Sequence, residues 1–425
     1  MNGLARIGRQ TFRSLRSRNY RLYFAGQVVS ASGSWMQQVG QVWLVLRLTR
    51  SGTALGIVTA LQFLPVLIGG AWAGLLADRL DKRRLLLATS TGAAVLAAIL
   101  GTLVATDRVE LWMVYVLATL LGVATALDSP ARRSFVTELV GADDEANAVS
   151  LNSSVFTAAR VIGPASAGLV IAGAGLAWCF FANAASFLAV MGALAAMDRR
   201  AIRPAPPAPR APGQLREGLR YVWSQPALRL VLGMTAVIGT LSFNFQITLA
   251  LLARRTFDGD AGLFGSMYAL MSVGAVAGSL VVAHRARATR RFVVLGAFAF
   301  GALMLATALA PSRPVAFATL VPMGAASIAF LSSAGALAQT RASPEYRGRV
   351  AALFAIAFLG STPIGGPIVG RVSDLAGPRA GLMLGAAAAL LTAAWAWWRL
   401  EHPHPATPGA ASGEAVTAET RLAAP

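Results

Sequence analysis

Long apolar runs, broken by short polar or basic segments, follow one another along nearly the whole chain. A helix needs about 20 mostly apolar residues to cross the roughly 30 Å hydrocarbon core of a bilayer. Twelve runs meet that length, near residues 20–45, 52–77, 84–106, 110–132, 147–173, 176–197, 228–253, 262–284, 291–311, 314–338, 349–373 and 378–398. The pattern predicts an all-α membrane protein of twelve transmembrane helices.

The runs fall into two sets of six. Between them, residues 198–227 replace leucine and glycine with proline and arginine, which predicts a stiff extended linker followed by a short interfacial helix over Gln214 to Trp223, with Leu219 and Trp223 toward lipid. "GAWAGLL" at 70–76 returns as "GAVAGSL" at 274–280, and "IGPASAG" at 162–168 as "IGGPIVG" at 364–370. The two offsets are nearly equal, so the six-helix halves, 20–197 and 228–398, read as a duplication. A basic arm (1–19) precedes them, and a tail (399–425) rich in Pro, Ala, Thr and Gly reads as disordered.

Composition agrees with a membrane solvent: 56% of residues are hydrophobic and only 13% charged. A net charge of +19 could instead suggest nucleic acid, so the placement of the bases decides. Taking the N-terminus as cytoplasmic, the large majority of the 37 Lys and Arg fall on inner segments. The positive-inside rule accounts for that asymmetry. No nucleic-acid partner is needed, and both termini are expected to be cytoplasmic in a bacterial-type inner membrane. The arginine-studded N-terminus is a poor match to a cleavable signal peptide, so the first helix is read as retained.

One cysteine, Cys179, provides no intrachain disulfide and no metal cluster. The three histidines are His284, His402 and His404, and no nucleophile triad or His/Glu metal set falls within a span. "GxxxxGK[ST]" does not occur. An enzyme or a nucleotide-driven pump is therefore not expected, nor any cofactor.

Twelve spans in two halves, a basic central linker and the stretch "GLLADRLDKRR" from Gly74 to Arg84 resemble the major facilitator superfamily, whose signature loop is Gly-x-Leu-Ala-Asp-Arg-x-Gly-Arg-Arg. Gly74, Leu76, Ala77, Asp78, Arg79 and Arg83 match it, while Asp81 and Lys82 depart from it. "SGSWMQQVGQVWLVLRLTRSGTALG" at 32–56, "DSPARRSFVTELV" at 128–140, "LNSSVFTAARVIGPASAG" at 151–168 and "YRGRV" at 346–350 are similar to the branch holding the enterobactin exporter and macrolide efflux proteins. The resemblance implies alternating access around a midplane cavity.

Several residues are candidates for that work. Gln27, Ser30, Ser34, Gln37, Gln38 and Gln41 step by threes and fours along the first span, so they share a face that is either a cavity wall or interhelical glue. Thr240, Asn244 and Thr248 in the seventh span make a similar stripe, with Gln246 beside it. Arg160 lies well inside the fifth span, where a charge is costly and is read by default as functional; snorkelling is the alternative. Gly163, Pro164 and Gly168 resemble the exporter branch's fifth-helix motif and suit a packing seam on the outer side.

Asp128 and Arg132 stand four apart, the spacing of a helix-end ion pair. In the superfamily an acid on span four commonly pairs with the base four after the signature aspartate, here Lys82. Asp78 would then cap the start of span eleven near Gly348 to Val350. Asp78, Arg79, Lys82, Arg83, Asp128 and Arg132 are thus expected to latch the cytoplasmic side. Val282 replaces the acid in the second repeat, so the latch is single. The expected activity is efflux of an amphipathic drug or siderophore by a monomer, driven by the proton-motive force through proton antiport; a facilitator, an importer or a sensor of the same architecture is the alternative.

Overall fold

The structure, a computed structural model, describes residues 11–203, 214–284, 289–360 and 362–402. The start of the basic arm, the proline-rich linker core 204–213 and the tail from 403 lie outside the described residues, as do the side chains of Asp78, Gln214 and Leu215.

Among the described residues there are helices and no strands. The first half comprises α1 (Arg18–Thr49), α2 (Gly52–Arg79), α3 (Lys82–Ala105), α4 (Leu111–Val140), α5 (Glu145–Gly173) and α6 (Ala177–Ala195). A short helix, α7 (Gln214–Ser224), ends the linker with Leu219 and Trp223 exposed. The second half contains α8 (Pro226–Leu241), α9 (Phe245–Leu251), α10 (Ala261–His284), α11 (Arg290–Ala308), α12 (Arg313–Arg341), α13 (Arg347–Leu359), α14 (Thr362–Ala376) and α15 (Pro378–Glu401). The seventh span is thus two helices, α8 and α9, ending in a π-helical turn (Leu252–Thr256), and the eleventh is α13 and α14.

Eleven of these segments are long and apolar enough to cross a membrane. With its 32 residues α1 has the length for a twelfth crossing, but its row of amides and hydroxyls dilutes its hydropathy. Local chemistry sets several helix starts. Ser17, Ser51, Asp81 and Thr289 each accept a hydrogen bond from the backbone N–H three residues on, which satisfies a donor that the helix leaves free. Asp81, the departure from the signature loop, therefore serves as the N-cap of α3.

The two halves repeat one packing scheme. In the first, α2 packs on α4, α3 on α4 and α6, and α1 on α5 and α6; in the second, α10 packs on α12, α11 on α12 and α15, and α8 on α13, α14 and α15. Across the halves the main contacts are α2 with α14 and α5 with α10. The end of the bundle where α1 begins and α2 gives way to α3 carries most of the bases and is called the basic face below; the other end is the opposite face.

Both inter-half contacts close at the opposite face through residues without side chains. Gly52 and Gly56 of α2 meet Gly370 and Gly366 of α14 so tightly that a Cβ on Gly56 would strike the Gly366 carbonyl. Two small-xxx-small stripes run antiparallel here, and the backbones approach as they do in membrane helix pairs. On α5, a Cβ at Gly168 would lie 2.8 Å from the Gly262 Cα of α10, and Gly265 abuts the Pro164 carbonyl. Toward the basic face the seam parts. Gly69 and Gly70 of α2 have no described neighbour within 4 Å of a Cβ position.

Candidate functional site

A cavity of about 850 Å³ lies in the first half and is lined by residues of α1 to α6. Its α1 wall is the predicted stripe: Gln27, Ser30, Ser34, Gln37, Gln38 and Gln41 all line it. Fourteen residues of helix separate Gln27 from Gln41, a depth of about 21 Å. At the basic-face end the lining reaches Arg133 and Val149, near the ends of α4 and α5. Trp35, Phe156 and Phe187 supply apolar surface between the polar groups.

Amides buried in a helical bundle need partners, and α6 provides one. Asn183 Nδ2 donates to Gln37 Oε1 at 2.6 Å, and Ser186 Oγ donates to Asn183 Oδ1 at 3.0 Å. Gln27 Nε2 and Ser90 Oγ are buried without a hydrogen-bond partner among the described residues. They are donors that a bound molecule or water in the cavity could engage. Asn183, Gln62, Thr89, Ser90, Arg133, Asn152 and Ser153 also line the cavity and were not picked out from sequence. A single Asn inside an otherwise apolar sixth run was the one legible signal among them.

Among the described residues, Asp128 is the sole carboxylate in the lining. Arg132 grips it with both forks, Nε to Oδ2 at 2.6 Å and Nη2 to Oδ1 at 2.8 Å, and Thr89 Oγ1 donates to Oδ1 at 2.9 Å. Paired geometry of this kind is the strong form of charge-assisted hydrogen bond. One helical turn separates the partners, so the α4 backbone itself sets the pair.

A family model for the transmembrane secretion effector matches residues 9–418. The chain belongs to this family, within the major facilitator superfamily. Among its relatives, this secretion-effector-family protein is 28% identical over 262 residues to the Staphyloferrin A transporter of Staphylococcus aureus, covering 61% of this chain and 66% of that one, just under two thirds of the relative's length. It is 26% identical over 368 residues to the Multidrug efflux pump Tap of Mycolicibacterium fortuitum, covering 82% and 88%. A solved bacterial homologue of the human lysosomal transporter Spinster, inward-facing and unoccupied, superposes with a TM-score of 0.71 at 14% identity over 89% of this chain and 96% of that one. The protein is a membrane transporter, not an enzyme.

In this major facilitator transporter several expected contacts are replaced. Lys82 pairs with Glu138, Nζ to Oε1 at 2.6 Å, rather than with Asp128. Glu138 lies near the end of α4, level with the start of α3, whereas Asp128 is more than two turns deeper, where Arg132 already occupies it. Arg83 does not join the halves either. It is buried, with Nε donating to the Leu194 carbonyl at 2.6 Å and Nη2 to that of Ala195 at 3.3 Å, and so ties α3 to the last turn of α6. Arg79 is exposed at the end of α2, and the Asp78 side chain lies outside the described residues. Asp128 and Arg132 belong to the cavity wall, not to the contact between halves.

Three residues assigned to the cavity fall outside its lining. Arg160 continues the α5 stripe of Val149, Asn152, Ser153 and Phe156, but its guanidinium lies 5.1 Å from the Trp35 ring centroid, so the indole separates it from the cavity. That cation–π contact, with the Trp35–Tyr268 ring pair at 5.9 Å, forms a roof between cavity and seam. Asn244 sits at the break between α8 and α9, where Nδ2 donates to the Thr240 carbonyl at 2.7 Å. Gln246 packs with Gln38, Phe264 and Tyr268 in a gap too small for water. Gly163 rests on Trp35 and Ser32 of α1, while Pro164 and Gly168 form the α10 seam already described.

Proposed function

We propose that this transporter is a secondary active exporter that takes an amphipathic small molecule from the basic face, which is cytoplasmic, and releases it at the opposite face by proton antiport. The observation that carries the reading is the one-sided cavity: about 850 Å³ of space whose lining reaches the basic face, below a glycine seam and an aromatic roof. That volume lies within the roughly 300–1,000 Å³ of small-molecule sites. Its amides and hydroxyls suit a molecule rich in acceptors, and Trp35, Phe156 and Phe187 suit its apolar parts. A siderophore and a macrolide-type drug both fit that description, and the relatives named above include a siderophore transporter and a multidrug pump.

Asp128 is the proposed coupling group. As cargo enters from the basic face, Asp128 gives up its proton there and closes the pair with Arg132, while the cargo takes the amides and hydroxyls of the wall. Once the cargo has left at the opposite face, a proton from that side neutralises Asp128 and loosens the pair, so each cargo moved outward is exchanged for a proton moved inward. The Asp78 end of α2 completes the cycle by closing the basic face against the start of α13.

Everted membrane vesicles test the reading. Acidifying their lumen with ATP should drive uptake of labelled siderophore or macrolide, and an uncoupler should stop it. Asp128→Asn should abolish gradient-driven uptake while leaving insertion intact, and Asp78→Asn should do the same. Wild-type uptake by both variants would overturn the coupling scheme, and uptake indifferent to the gradient would make the protein a facilitator.

A further inference from the structure

At the opposite face, among the described residues, a carboxylate of the second half is hydrogen-bonded to the first half. Asp374, near the end of α14, accepts hydrogen bonds from Ser51 Oγ at 2.8 Å, Gly52 N at 2.7 Å, Thr53 N at 2.9 Å and Thr53 Oγ1 at 2.8 Å. Arg255, delivered by the π-helical turn after α9, places Nη2 3.0 Å from the same carboxylate and also donates to the Arg50 carbonyl. The carboxylate thus occupies the N-terminus of α2, where free N–H groups and the positive end of the helix dipole favour an anion.

Its origin is what makes this cap unusual. A helix cap normally comes from the preceding residue, and α10, the repeat counterpart of α2, is of that kind: Asp260 Oδ1 accepts from Leu263 N at 2.9 Å within its own half. The start of α2 has Ser51 in that role and takes its acid from the other half, more than 320 residues away. By the offset between the repeats, the position of Asp374 corresponds to Ala172 in α5, so no second acid exists. The Gly52–Gly370 and Gly56–Gly366 contacts lie directly below the carboxylate.

We propose that Asp374 is the latch that holds the opposite face shut, and that its withdrawal from the α2 N-terminus is the step that opens the exit. The proposal rests on the alternating-access reading above. Inside one rigid half these bonds would only stabilise a helix. Between two halves that must separate they bias a conformational equilibrium. Asp374 and Arg255 are partly exposed, at 17% and 30%, so water can take over their bonds when the seam opens, and the latch is reversible.

Spin labels on the opposite-face loops read this directly. In a Cys179→Ser background, Arg108→Cys and Ser312→Cys place one label on each half, and their distance is measured in nanodiscs without substrate. Asp374→Asn and Asp374→Ala should each raise the long-distance, exit-open population about tenfold relative to the closed one, the scale for losing hydrogen bonds to a charged group. Thr53→Val, a milder change that removes one donor, should move it the same way by less. Asp260→Asn removes a cap within one half and should leave the distances unchanged. An unaltered distribution in the folded Asp374 and Thr53 variants, or an equal shift from Asp260→Asn, would overturn the latch. Because no transport is measured, failure of the export reading shows separately, as vesicles that carry no gradient-driven cargo although the labels move.

Discussion

Lys82 Nζ and Glu138 Oε1 lie 2.6 Å apart at the basic face with side chains only 10% and 5% exposed, joining the start of α3 to the end of α4. The signature-loop lysine is therefore part of the internal frame of the first half. Removing Glu138 takes the carboxylate partner from a Lys82 that is only 10% exposed, which costs about 3–5 kcal/mol, whereas replacing both residues of such a pair by apolar ones is often close to neutral. Glu138→Leu alone should lower the unfolding midpoint in detergent markedly, and Lys82→Met with Glu138→Leu should recover most of it. Equal loss in single and double variants would mean that the pair itself supplies the stability.

Arg83 gives a second, separable prediction. Its guanidinium satisfies carbonyls of the last turn of α6, which have no partner within that helix. Arg83→Ala should destabilise the first half by about 1–3 kcal/mol, with Arg83→Lys recovering part of this. Neither should alter spin-label distances across the seam. A change there would return Arg83 to the inter-half contact expected from the motif.

The cavity wall depends on Asn183 and Gln37, whose side chains are 3% and 5% exposed. Asn183→Ala leaves Gln37 Oε1 without its donor, and Gln37→Ala leaves Asn183 Nδ2 without its acceptor. A double-mutant cycle on thermal stability should give a coupling of about 0.5–3 kcal/mol. Additive losses would show that the 2.6 Å contact contributes no stability of its own.

Gly56 tests the seam. A valine there collides with the Gly366 backbone and should keep the opposite face from closing. In the Cys179→Ser background, Ser129→Cys in the cavity lining should then react more slowly with a polar maleimide supplied from the basic face. Unchanged labelling would mean that the backbones can part locally without moving the halves.

Legibility in the sequence divides along physical lines. The α1 stripe was readable because polar residues at steps of three and four in an apolar run must share a face. The gathering of most bases at one end of the bundle was readable because a membrane sorts charge by side. The duplication showed as two offset pairs of glycine motifs. Lys82 was misassigned because the family pattern ranks partners by spacing along the chain, whereas a 2.6 Å contact depends on which helix ends share a depth. Arg160 was misplaced because its stripe predicts the facing direction correctly, but Trp35 of another helix intervenes. Asp374 went unremarked: one acid near the end of a span has no local signature as the cap of a helix more than 320 residues earlier.

The sequence by itself determined that the chain is helical, that it crosses a membrane many times and that its motifs are duplicated, since each follows from length, period or local composition against a bilayer. Tertiary structure alone decided that the cavity lies in the first half, that Asp128 stays with Arg132, and that the closed seam lies at the opposite face. Those outcomes depend on which helix surfaces meet. Glycines, a tryptophan and a distant carboxylate fix that by contact geometry, which no single segment encodes.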